Sequence, residues 1–75
     1  MNFDIYTEIN LFQDKKNVVV VWTFAIIRSF ADNNSALVTT VKQGDKLSVI
    51  SALGKWLNVR LEDGREGWIS NNVIK

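Results

Sequence analysis

Apolar and polar positions alternate with period two from Trp56 to Leu61: Leu57, Val59 and Leu61 share one face of an extended chain, and Trp56, Asn58 and Arg60 share the other. That is the pattern of a half-buried strand. Upstream, Val18 to Ile27 is a ten-residue apolar run, including Thr23, dominated by β-branched and aromatic side chains that suit a pleated surface better than a helix. It predicts one long strand, ended by the turn cluster Asp32-Asn33-Asn34-Ser35. Ala36 to Val41 reads as the second strand, and Lys42-Gln43-Gly44-Asp45 as the turn after it. Lys46 to Ser51 follows, with Leu47, Val49 and Ser51 expected on one face, and Leu53-Gly54-Lys55 turns the chain into the Trp56 strand. The Asp63-Gly64 pair within Glu62-Asp63-Gly64-Arg65 predicts a tight two-residue hairpin that returns Glu66 to Ile69 antiparallel to it. Ser70-Asn71-Asn72 then breaks the ladder, leaving Val73-Ile74 for a closing edge contact.

Five short strands separated by regular turn signals indicate an all-β fold, and so short a chain favours a small barrel over a sandwich. Closure of the barrel would remove the exposed edges that such apolar strands otherwise offer to neighbouring chains. The first seventeen residues stand apart. Phe3, Ile5, Ile9 and Leu11 fit a strand face, whereas Ile5, Ile9 and Phe12 fit a helical stripe; an extended arm is the favoured reading. The organisation is thus an N-terminal extension over residues 1–17 and a barrel over residues 18–75.

Composition narrows the chemistry. The 75 residues include no His, no Cys and no Pro, which removes thiolate nucleophiles, disulfides, imidazole bases and His- or Cys-ligated metals. No cofactor or metal site is expected. Glu62 and Glu66 could face each other across the hairpin, but paired carboxylates need a cleft and one raised pKa, which a solvated turn does not supply. The expectation is a non-enzyme. A net charge of +1 provides no basic surface for nucleic acid or an anionic bilayer, and the apolar run is about half of the ~20 residues a spanning helix needs. Gly64-Arg65-Glu66-Gly67 matches a bare G-x-x-G, yet a nucleic-acid clamp of that kind joins two helices and here strands flank it. No basic start followed by an apolar stretch and a small-residue cleavage site is visible either.

The segment from Gly54 through Trp56, Val59, Asp63-Gly64 and Gly67-Trp68 to Ile69 resembles the second half of a bacterial SH3-like domain, in which a Trp, a Val three residues on, a D-G turn and a G-W pair recur. Ile27-Arg28-Ser29 is similar to that family's "N-V-R-S" segment, and Val41 to Leu47 to its "k-x-G-d-k-v" turn. The resemblance spans roughly Val18 to Lys75 and implies a five-stranded SH3-like barrel. Phe30-Ala31 stands where the family usually has Gly-Pro, so the loop after the first strand is expected to differ in shape. Gly67 to Ile74 also resembles the closing "G-Y-I-P-S-N-Y-V" of eukaryotic SH3 domains, but Ser70 and Val73 replace the ligand-contacting Pro and second Tyr, and the "A-L-Y-D-Y" stretch is missing. Proline-rich peptides need a row of aromatic ridges, so that ligand class is disfavoured.

The resemblance implies a non-catalytic module that binds a cell-wall peptide or an extended protein segment, and a parent protein of the cell envelope or one that is secreted. Candidate ligand-binding residues are Trp56 and Trp68, on the face opposite Leu57 and Ile69, with Asn58, Arg60 and Asn72 as polar neighbours. Trp22, inside the apolar run, is read as a core or arm contact, and Arg28 as a brace that fixes a loop. Asp32, Glu62, Asp63 and Glu66 are read as solvated turn charges. The alternative function is structural, a domain that docks on its own chain or forms a homodimer through residues 1–17.

Overall fold

The computed structural model describes residues 16–75. The expectations for the N-terminal arm, its strand or helix character and its role in a homodimer fall mostly on residues 1–15, outside the described part. Among the described residues, six strands form one antiparallel sheet: β1 (Asn17–Val19), β2 (Phe24–Arg28), β3 (Leu37–Lys42), β4 (Lys46–Leu53), β5 (Trp56–Arg60) and β6 (Glu66–Ser70). A 3₁₀ turn over Asn71–Val73 follows β6. The strands are ordered β1-β4-β5-β6-β2-β3, and the sheet curls around an apolar core whose most buried members are Val18, Val20, Ile27, Leu47, Leu57, Val59 and Ile69.

The all-β SH3-like architecture stands, but the sixth strand corrects the expected count of five. The run Val18–Ile27 is divided into β1 and β2 because the parity of burial reverses within it. Val18 and Val20 are buried, then Val21, Trp22, Thr23 and Phe24 are exposed, and burial resumes at Ala25 and Ile27. In a straight strand, residues of even and odd number lie on opposite faces, so no single strand can bury both pairs. The chain instead leaves β1 at Val20, crosses, and re-enters the sheet as β2. Backbone bonds fix the crossing on both sides: Val20 N–H donates to Asp45 O at 3.0 Å, Val21 N–H to Val73 O at 2.9 Å, and Gln43 N–H to Thr23 O at 3.1 Å.

Closure is also partial. Val19 exchanges backbone bonds with Lys75 at 3.0 and 2.9 Å, so the C-terminal residues cover the side of β1 away from β4, and Val73-Ile74 does make the expected closing contact. β3 pairs only with β2 and leaves one edge unpaired among the described strands.

The two hairpins flanking β5 exchange their expected roles. Leu53 pairs with Trp56, so the loop there has only two residues, and Gly54 takes φ +59° at the first of them, where a type II′ turn requires a positive value. Between β5 and β6, Leu61 N–H donates to Arg65 O at 2.8 Å and Gly64 N–H to Leu61 O at 3.0 Å, a three-residue loop with Gly64 at φ +94°. Asp63 keeps a negative φ, which excludes the two-residue Asp-Gly turn predicted from sequence. In β4 a register shift between Val49 and Ser51 moves Ser51 opposite Asn58, onto the outer face, and brings Ala52 opposite Leu57 to the core side. Ser51 therefore does not share the face of Leu47 and Val49.

β2 meets β6 where Gly67 has no side chain. A Cβ there would overlap Ile27 Cγ2 and lie 2.8 Å from the Arg28 carbonyl oxygen, and the backbone of Arg28 cannot swing aside as a side-chain tip can. Gly67→Ala is therefore expected to destabilise the domain by about 1–3 kcal/mol as an overpacking substitution. Urea denaturation checks this, and an unchanged midpoint would contradict the close approach. At the β5–β6 loop, Asp63 accepts from the Arg65 backbone N–H at 2.9 Å and from Arg65 Nε at 2.7 Å, and the backbone donor is the leading reason its carboxyl is held below the ordinary 3.8. Because the folded value is the lower one, the stabilisation is present above the unfolded pKa and is lost as pH falls through the depressed value. Carboxyl NMR titration should place Asp63 below 3.8, with Arg65→Ala restoring it only in part because the main-chain donor remains.

Candidate functional site

The outer face of β2, β6 and β5 carries two neighbouring rows of side chains. Arg28 lies opposite Trp68, and Trp68 opposite Asn58; one step along, Ser70 lies opposite Trp56. Trp56 begins β5 directly after the two-residue Gly54-Lys55 loop, and Lys55 O accepts the Asn71 N–H at 2.8 Å. That bond holds the 3₁₀ turn, with Asn72 and Val73, beside the Trp56 ring. Ser70 Oγ donates to Asn72 Oδ1 at 2.6 Å and orients the amide.

The crossing from β1 to β2 supplies the facing wall. Val21, Trp22 and Phe24 turn outward there, Trp22 with 53% and Phe24 with 61% of its surface exposed. Together with Trp56, Ser70, Asn72 and Val73 they line an open cleft of about 800 Å³, to which Ile26, Arg28, Asn33 and Gln43 also contribute. Its size is that of a ligand cleft, and it combines aromatic surface with a few polar groups. A second hollow of about 530 Å³ lies near the β5–β6 loop, among Asp45, Lys46, Glu62, Asp63 and Arg65, where Asp63 and Arg65 are already ion-paired at 2.7 Å. It offers less apolar surface and, among the described residues, no aromatic ring.

Asn33 reaches the cleft from the Ser29–Ser35 loop. That loop is closed by Ser29 N–H to Ala36 O at 2.8 Å, with Asn34 N–H donating to Asp32 Oδ1 at 2.9 Å and Ser35 Oγ 2.7 Å from Asp32 O. Arg28 Nη1 donates to Ser35 O at 2.9 Å, so Arg28 does brace the loop, through a carbonyl rather than the carboxylate that such arginines commonly engage.

Of the residues singled out from sequence, Trp56 and Asn72 line the cleft. Trp68 and Asn58 sit in the adjoining row, both half-buried on the same outer face. Arg60 lies at the far end of that face and is paired with Glu66 at 2.8 Å, away from the aromatic cleft. Asp32, Asp63 and Glu66 bond to neighbouring turn and strand groups and do not line it. The reading of Trp22 as a core residue is corrected, since its ring is exposed and belongs to the cleft wall; the arm contact also expected of it falls on residues outside the described part. Trp22, Phe24, Asn33 and Gln43 also line the cleft without having been expected there, and the one available signal was the length of the apolar run, ten residues where strands commonly have five or six.

The family model for the bacterial SH3 domain matches residues 23–75, which takes in β2 through the C-terminus. The chain belongs to the bacterial SH3 domain family. Among curated proteins none matches it. Among solved structures, this bacterial SH3 domain is similar to the C-terminal SH3 domain of myosin IB from Entamoeba histolytica, with 25% identity and a TM-score of 0.53 over 79% of this chain and 86% of that one. SH3 domains are binding modules that take peptide or protein segments. No helix of the described residues is long and apolar enough to cross a membrane.

Exposure of Trp22 carries a direct consequence for fluorescence. Trp22→Phe should remove the emission component most readily quenched by acrylamide while changing stability by no more than about 0.5 kcal/mol, as for a surface substitution. A large loss of stability would return Trp22 to the core.

Proposed function

We propose that this bacterial SH3 domain holds a short extended segment, a cell-wall peptide or a stretch of another protein, across the cleft between the β1–β2 crossing and the start of β5. The observation that carries the reading is the convergence of Trp22, Phe24 and Trp56 on one open cleft with amide side chains beside them. An extended chain presents an N–H and a C=O at every residue, so its receptor needs polar partners as well as apolar surface. Asn33, Gln43 and Asn72 meet the first need and the three aromatic rings the second. Trp68 and Asn58 continue the surface along the neighbouring row, where a longer segment would run.

A polyproline ligand fits less well. Ser70 and Val73 both line the cleft, and they stand at the positions where the eukaryotic closing motif has a Pro and a Tyr, so two of the ridges that grip a proline helix are replaced by smaller side chains. Isothermal titration with soluble peptidoglycan fragments and with a set of extended peptides tests the proposal. Trp56→Ala should weaken whichever ligand binds by at least about tenfold, the loss expected when a Trp at the centre of an interface is truncated. Binding that survives this substitution unchanged would place the ligand elsewhere.

A further inference from the structure

The cleft is electrostatically one-sided. Its walls are aromatic, aliphatic, hydroxyl or amide groups, and among the described residues Arg28 is its sole ionisable lining side chain. Arg28 is half-buried, and the bond from Nη1 to Ser35 O uses one of the N–H donors of its fork. Glu66 and Asp63 are committed to Arg60 and Arg65, and no described carboxylate is ion-paired with Arg28. Asp32, the acid of the adjoining loop, accepts from its own loop at Asn34 N–H. A guanidinium with spare donors, set among neutral and partly apolar walls, creates a positive potential where a ligand chain would lie.

From this charge pattern, and resting on the reading of the cleft as a peptide site, we propose that the occupant is an acidic segment: an extended polypeptide that lays an apolar residue on Trp22, Phe24 and Trp56 and gives a neighbouring Glu or Asp carboxylate to Arg28. A carboxylate matches the planar fork and accepts charge-assisted hydrogen bonds from it. A lysine or arginine of the ligand at the same place meets a like charge with no acid in the walls to offset it. The opening of the cleft to solvent limits the gain, since exposed ion pairs contribute up to about 1 kcal/mol, or roughly fivefold in affinity, and salt screens them.

Three acetylated and amidated hexapeptide libraries test this, identical in their randomised apolar and polar positions and differing only in a fixed central Glu, Gln or Lys. Binding is followed by NMR shifts of the Trp22 and Trp56 indole N–H signals, with soluble peptidoglycan fragments in a parallel titration. The expected result is about fivefold tighter binding of the Glu library than of the Gln library, weakest binding of the Lys library, and a difference that shrinks on adding ~0.5 M salt. Arg28→Gln should abolish the preference, and Arg28→Lys, which keeps the charge should loss of the Ser35 bond disturb folding, should retain part of it. Equal binding of the Glu and Gln libraries, or preference for Lys, with both indoles still shifting would overturn the acidic ligand while leaving the peptide site intact. Shifts with peptidoglycan fragments and with no library would overturn it in favour of a cell-wall ligand. An absence of indole shifts in every titration would overturn the peptide site itself.

Discussion

The cleft exists because the chain reverses its burial parity between Val20 and Ala25. Val18 in β1 and Val20 just after it face the core, Ala25 and Ile27 face it from β2, and the intervening residues cannot continue a strand that satisfies both. They are turned outward and held by bonds to the 3₁₀ segment and to the β3–β4 turn. Two aromatic rings are thereby exposed at a position where the core has no use for them. One constraint of packing thus produces both the split of β1 from β2 and one wall of the cleft.

The opposite wall depends on the close seating of β2 against β6 at Gly67. Without a side chain there, the Arg28 carbonyl and the Ile27 side chain approach the β6 backbone, and the same approach sets Arg28 beside Trp68 on the outer face. Close packing inside therefore decides which side chains become neighbours outside. The two-residue loop at Gly54-Lys55 has a similar role, since it both starts β5 with Trp56 and presents the Lys55 carbonyl to the 3₁₀ turn that carries Asn72.

The sequence revealed the fold where polar and apolar residues alternate and concealed it where they do not. Leu57, Val59 and Leu61 marked the core face of β5 because Asn58 and Arg60 lie between them, and from that phase Trp56 followed as an outward residue. In Val18–Ile27 nearly every residue is apolar, so nothing recorded which side chains point inward, and the break after Val20 had no marker. The same gap hid the outward turn of Trp22 and Phe24 into the cleft wall. The bulge at Ile50 was equally silent, because one inserted residue changes the face of Ser51 without altering the local composition. Trp56 and Asn72 were found through the strand phase and the family resemblance; Asn33 and Gln43 come from loops and turns whose approach to the cleft depends on long-range pairing.

On the proposed function, the outward crossing between β1 and β2 and the start of β5 act as one ligand surface. The most direct measurement is a backbone amide NMR footprint of the full chain on adding a bound extended peptide. Perturbations are expected at Val21 to Phe24, Trp56 and Asn72, two stretches far apart in sequence responding together. Perturbations confined to the unpaired edge of β3, or to Arg60 and the β5–β6 loop with the crossing unmoved, would contradict it.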